Sequence, residues 1–169
     1  MKKAAGRKKV SPIPKGYPIL TPHLSVKGAA AAIDFYTKAF GAKERMRVPG
    51  PDGLLGHAEI DIHGALVMLA DEFPGGGAAS PSTIHGTSCS LMLYVKDVDA
   101  SFARALAAGA TQIFPPDDKF YGDRCGVLKD PFGHLWCLST HVEDVSPKEM
   151  MKRSKEEMAK MMAAKAPQG

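Results

Sequence analysis

Apolar positions along this chain follow two periods. Leu24 and Val26 alternate with His23 and Ser25, and Ala58, Ile60 and Ile62 alternate with His57, Glu59 and Asp61, the two-residue period of strands with one packed face. Between them Ile33, Phe35, Tyr36 and Phe40 make an apolar stripe in an Ala-rich run, which predicts a helix over residues 28–39 ended by Gly41. A first strand is expected within Tyr17–Val26, its start made irregular by Pro18 and Pro22. Further strands are expected over Lys43–Val48, Leu55–Ile62 and Ala65–Ala70.

The same unit returns 69 positions later. Leu24-Ser25-Val26-Lys27 matches Leu93-Tyr94-Val95-Lys96, and Leu66-Val67-Met68-Leu69 matches Leu135-Trp136-Cys137-Leu138, with a one-residue slip at the helix-to-strand turn where Gly41 meets Gly109. Self-similarity at a fixed spacing is the signature of a repeated structural unit. The second copy predicts strands over Ser90–Val95, Thr111–Phe114 and Val127–Lys129, a helix over Val98–Ala108, and an irregular stretch at Pro115-Pro116. Asp130-Pro131-Phe132-Gly133 then turns the chain into a last short strand, since Pro presets φ and Gly supplies a positive one.

The fold class is therefore α+β: two tandem βαβββ modules, residues 17–72 and 88–141, joined by a Gly, Pro and Ser-rich loop at 73–87, in one domain over 17–145. Ser146-Pro147-Lys148-Glu149 is a capping box that starts a further helix over 146–164. That helix carries Met150, Met151, Met158, Met161 and Met162. A methionine stripe of this kind is a face for its own domain, for a second subunit or for a separate partner.

Composition adds exclusions. No apolar run approaches the roughly 20 residues of a membrane span, the basic N-terminus lacks the apolar segment of a secretory signal, and Cys89, Cys125 and Cys137 are odd in number without metal-type spacing. A cytoplasmic protein with free thiols and no membrane partner is expected. Residues 1–15 hold Lys2, Lys3, Arg7, Lys8, Lys9 and Lys15 without an acid, a charge of +6, which leaves −2 of the +4 total for the rest. With no aromatic residue interleaved for base stacking, residues 1–16 read as a solvated, disordered tail, and no nucleic-acid partner is expected.

The tandem arrangement, with Ala-Ile-Asp-Phe-Tyr-x-x-Ala-Phe-Gly-Ala (Ala32 to Ala42) in the first helix, resembles the vicinal oxygen chelate superfamily of glyoxalases, extradiol dioxygenases and bleomycin-resistance proteins. His57-Ala58-Glu59, Ala70-Asp71-Glu72-Phe73-Pro74, Tyr121-Gly122-Asp123-Arg124 and Asp130-Pro131-Phe132-Gly133-His134-x-Trp136 are similar to its PhnB-like branch. The resemblance implies a cupped, barrel-like pair of mixed sheets with helices outside, a cavity inside and a homodimer, the cavity completed within one chain or between two. It also implies four metal ligands, His, Glu or Gln, on the first and last strand of each module. Carried over, those positions are Thr21, Met68, Ser90 and Cys137. None is His, Glu or Gln, so neither a metal nor another cofactor is expected there.

Alternation points His23, His57, Glu59, Met68 and Cys137 into the cup and packs Trp136 under the helices. His57 and Glu59 are neighbours on one strand face, a pair suited either to proton transfer or to a structural contact. His23 with Glu59 is the candidate for a displaced divalent metal. Tyr121 and Arg124 lie in a polar turn, where Arg124 either clamps an anionic ligand or fixes the turn. Cys137 is a cup liner, or a nucleophile where a neighbour lowers its pKa. Two functions follow: a metal-free cup that binds a small, planar or partly aromatic molecule, or a lyase, isomerase or dioxygenase using a displaced metal or the His57 and Glu59 pair.

Overall fold

The structure is a computed structural model and describes residues 10–165; most of the basic tail, residues 1–9, lies outside them. Each module forms a four-stranded sheet. The first contains β1 (His23–Val26), β2 (Lys43–Pro49), β3 (Leu55–Ile62) and β4 (Ala65–Asp71) in the order β1-β4-β3-β2, and α1 (Ala29–Phe40) connects β1 to β2. A one-turn helix in the joining loop, α2 (Pro81–Ile84), has no period the sequence pattern could register. The second sheet contains β5 (Ser90–Tyr94), β6 (Thr111–Asp118), β7 (Asp123–Lys129) and β8 (Leu135–His141) in the order β5-β8-β7-β6, with α3 (Val98–Ala107) in the matching place. In both sheets the first and last strands are parallel and the others antiparallel. His23 stands opposite Met68 and Met92 opposite Cys137, so the 69-residue repeat is a repeat of register.

The helix-packed faces are those the alternation predicts. Leu24, Val26, Ala58, Ile60, Ile62, Val67 and Leu69 are all buried, as is Trp136. These faces, from both sheets, join one core with α1 and α3 between them. Trp136 of β8 packs on Tyr36 and Phe40 of α1, with ring centroids 5.4 and 4.7 Å apart, and Arg104 of α3 donates to the carbonyl of Ala39 at 2.8 Å. The helices thus lie on the back of each cup, as expected. Because both backs meet in one core, the two cup faces turn away from it, and the sheets are cupped rather than closed.

Several boundaries differ from the pattern. β1 begins only at His23, because Pro18 and Pro22 remove ladder donors ahead of it. Conversely, β6 runs on through Pro115 and Pro116 to Asp118. It is an edge strand, and its register shifts between Phe114 and Asp117, so two residues without an N–H cost no central ladder bond. Gly41 ends α1 in the left-handed region at φ 68°, and its N–H reaches the Thr37 carbonyl, the expected helix stop.

The last helix, α4 (Pro147–Lys165), starts at the predicted box: Ser146 Oγ accepts from the Glu149 amide at 3.3 Å. Arg153 ties it to Glu143 with two bonds of 2.7 Å. Four of its methionines do not pack on the chain's own domain: Met151, Met158, Met161 and Met162 are exposed, while Met150 is 36% exposed. The attachment runs through the polar side of the helix instead.

Candidate functional site

The cup face of module one is built on β3. Glu59 points off it and is buried, although the cup face around it is half-open, because Tyr17 from the segment before β1 lies over it. Tyr17 Oη donates to Glu59 Oε1 at 2.7 Å, His57 Nε2 lies 3.4 Å from the same oxygen, and Arg45 Nη1 approaches Oε2 at 3.8 Å while its guanidinium stacks over the Tyr17 ring. Burial pushes the Glu59 carboxyl up, but the bonds from Tyr17 and His57 with the charge of Arg45 outweigh it and hold Glu59 below its ordinary value. His23 stacks on His57 with ring centroids 6.1 Å apart. Burial, and then the neighbouring His57, hold His23 below the usual imidazole range. Met68 is level with His23 on one side and Glu59 on the other.

The cup face of module two carries a different polar centre. Asp123, at the start of β7, is buried and accepts from Tyr94 Oη at 2.8 Å and Ser139 Oγ at 3.0 Å, with His141 Nδ1 at 2.7 Å; His141 Nε2 then meets Asp144 at 3.0 Å. Those bonds hold the Asp123 carboxyl low in spite of its burial. Asp123 and Asp144 together raise His141. Cys137 is half-buried beside them, between Met92 and Val127. Tyr121 sits by Cys125, where burial, then Cys125 and Asp123, push its hydroxyl up to about 12.

Of the residues expected in one cup, His23, His57, Glu59 and Met68 are together on module one and Cys137 is on module two, where Tyr121 of the polar turn also lies. Among the described residues no hydrogen bond or ion pair joins the two groups, although Tyr17 and Arg45, which cover Glu59, line one cavity with Met92. Arg124 is in neither. Its parity is opposite to that of Asp123, so it faces α3, where Asp99 takes a bidentate pair at 2.8 and 2.9 Å and Asp118 a third bond at 3.2 Å. The turn-fixing alternative describes it, with Asp99 and Asp118 in place of Asp123. Sequence reasoning missed Tyr17, Arg45, Tyr94, Asp123 and His141 as site residues. Parity along β7 and β8 could have found Asp123 and His141, since they share the face of Cys125 and Cys137. Tyr17 precedes the first strand and has no periodic signal.

Thr21 precedes β1 and Ser90 begins β5, and the residues level with Met68 and Cys137 are His23 and Met92. By donor chemistry Thr21, Met68, Ser90 and Cys137 do not suit a hard divalent ion, which takes imidazole and carboxylate. Among the described residues there is no group of three or more His, Cys, Asp or Glu side chains placed to hold a metal.

A model of the glyoxalase, bleomycin-resistance protein and dioxygenase superfamily matches residues 19–138. The chain belongs to that superfamily. An uncharacterized Mycobacterium tuberculosis protein is 52% identical over 136 residues, 79% of this chain and 80% of that one. An uncharacterized Arabidopsis thaliana protein is 30% identical over 117 residues, covering 64% and 69%. Among solved structures, TioX from Micromonospora is similar at 30% identity and a TM-score of 0.58, over 73% of this chain and 98% of that one. The PhnB protein of Bacillus cereus, at 21% identity and a TM-score of 0.58 over 73% and 99%, shares the superfamily fold. Among the described residues of this superfamily member, no helix is long and apolar enough to cross a membrane.

Proposed function

We propose that this superfamily member binds a small, planar or partly aromatic molecule as a homodimer, the cup face of module one of one subunit closing on the cup face of module two of the other. The outward turn of both cup faces is the support. Each presents apolar side chains to solvent: Met46 (41% exposed) and Val48 (43%) on module one, Met92 (52%), Tyr94 (58%) and Phe114 (62%) on module two. Apolar groups left open around convergent polar ones mark a face that is covered in use. Thioether, aromatic and aliphatic walls suit a flat molecule.

The cup works without the superfamily's metal, because Thr21, Met68, Ser90 and Cys137 are not its ligands. His23 and Glu59 are two donors for a displaced ion, fewer than the three protein ligands of a typical catalytic site. A second reading, proton-transfer chemistry of the lyase or isomerase kind, is favoured by the 3.4 Å approach of half-buried His57 to Glu59. In that reading Glu59 orients the imidazole and His57 moves the proton.

Light scattering on the full chain tests the assembly, with a dimer expected and Met46→Lys with Phe114→Lys reducing it to monomer. A wild-type monomer that still binds ligand would overturn the shared cup. Elemental analysis with zinc, iron, manganese and nickel tests the metal. Stoichiometric metal lost on His23→Ala or Glu59→Ala would overturn the metal-free reading and favour the enzymatic one.

A further inference from the structure

Three sulfur side chains share one patch of the module-two cup face. Cys137 pairs with Met92 across the parallel β5–β8 ladder and with Val127 across the antiparallel β7–β8 ladder. Cys125 lies two residues before Val127 and opposite Ser139, so it projects from the same face as Cys137 and stands diagonal to it. Both thiols are free. Cys125 is buried, Cys137 is half-buried and Met92 is exposed, which makes a short well of sulfur open to solvent at the thioether end. The Cys125 thiol lies 3.9 Å from the carbonyl of Gly126.

Spacing decides what such a pair can do. Diagonal neighbours on a sheet face are about 7–8 Å apart, somewhat less between Cβ atoms. A disulfide is not formed between Cα atoms more than about 7 Å apart without backbone movement. Two thiolates bound to one ion at about 2.3 Å each hold their sulfurs no more than about 4.6 Å apart, a separation that side chains at diagonal positions reach by rotation about χ1. The nearby carboxylates have cationic or hydrogen-bonding partners, Asp123 in Tyr94, Ser139 and His141 and Asp117, opposite Cys125, in Lys119 at 3.4 Å, which leaves the sulfurs as the donors without a charged partner. Thiolate and thioether sets select soft ions such as Cu(I) over hard ones.

We propose that Cys125 and Cys137 bind one soft d10 cation, Cu(I) in preference to Zn(II), as a bis-thiolate with the Met92 thioether as third donor. Each thiol gives up its proton as its sulfur bonds the ion, so two protons leave per Cu(I) bound, and no electron is transferred. All three donors belong to one chain, so the site stands whether or not a second subunit closes the cup.

The test is an anaerobic Cu(I) titration of the full, reduced chain carrying Cys89→Ser, against a competing Cu(I) chelator, read by native mass spectrometry and proton release. The expected result is one Cu(I) per chain with two protons released. Chelator-resistant binding is lost in Cys137→Ser and in Cys125→Ser and is weakened but retained in Met92→Leu. Unchanged metal-free melting temperatures in Cys137→Ser and Met92→Leu, both at less buried positions than Cys125, separate ligand loss from misfolding. Cu(I) captured equally by the chelator in the parent and in Cys137→Ser, or Zn(II) held as tightly as Cu(I), would overturn the proposal.

Discussion

Tyr36 of module one donates its hydroxyl to Asp130 of module two at 2.7 Å, inside the shared core. The same carboxylate accepts from Trp136 Nε1 at 2.9 Å and from the amides of Phe132 and His134 at 2.9 Å each. One buried acid therefore closes the Asp-Pro-Phe-Gly turn, orients the core tryptophan and joins the modules. Burial and then Asp130 raise the Tyr36 hydroxyl well above its ordinary value. Tyr36→Phe should lower unfolding free energy by about 1.5–3 kcal/mol, the range for a bond to a charged group. Asp130→Ala should cost more, because the Tyr36 and Trp136 donors both stay buried. Urea denaturation ranks the two, and a smaller loss for Asp130→Ala would show the carboxylate to be dispensable.

Gly133 and Gly64 occupy the same place in the two modules, at φ +94° and +93°. Their surroundings differ. A Cβ on Gly133 would meet Pro81 Cβ at 2.7 Å, whereas one on Gly64 meets nothing within 4 Å. Gly64→Ala should cost about 1–2 kcal/mol, the left-handed penalty of an L-residue. Gly133→Ala should cost more and loosen the loop at α2, which thermal melts and hydrogen exchange on residues 79–86 can compare. Equal losses would mean that the turn conformation alone matters.

Glu72 gathers the joining loop. Its Oε2 accepts from the Ser80 amide at 3.0 Å, from Ser80 Oγ at 2.5 Å and from Thr83 Oγ1 at 2.7 Å. These bonds, with Ser80 foremost, lower its pKa to about 2. A depressed carboxylate pKa contributes stability that is full above the unfolded value near 4.5 and is lost as pH falls toward 2. Hydrogen-exchange protection in residues 79–84, taken relative to the intrinsic rate at each pH, should fall across that window, and in Glu72→Ala it should be low already at pH 7.

His141 has the opposite sign. Asp123 first, then Asp144, raise its pKa above 6.5, so its contribution is complete below pH 6.5 and is lost as pH rises through the folded value. An NMR titration should show His141 holding its proton above pH 6.5 in the parent and releasing it at lower pH in Asp123→Asn. An unmoved titration would take Asp123 out of the cluster.

The features most legible in the sequence are those that depend on near neighbours. The parity of Trp136 against Cys137 puts it in the core, and a spacing of two puts His57 and Glu59 side by side, because the strand pleat enforces both. The joining loop reads only as a loop, since a single helical turn such as Pro81–Ile84 has no period to detect.

By itself the sequence determined the two modules, their common register, the faces that β1, β3, β4 and β8 bury and the turns that need glycine. All of these follow from backbone geometry repeating over two to four residues. Only the tertiary structure decided that the two backs meet in one core and turn the cups outward, that Arg124 answers to Asp99, and that Tyr17 covers Glu59 from 42 positions away. Those pairings depend on how two folded layers dock, a free energy shared among side chains distant in the chain, and no local period carries it.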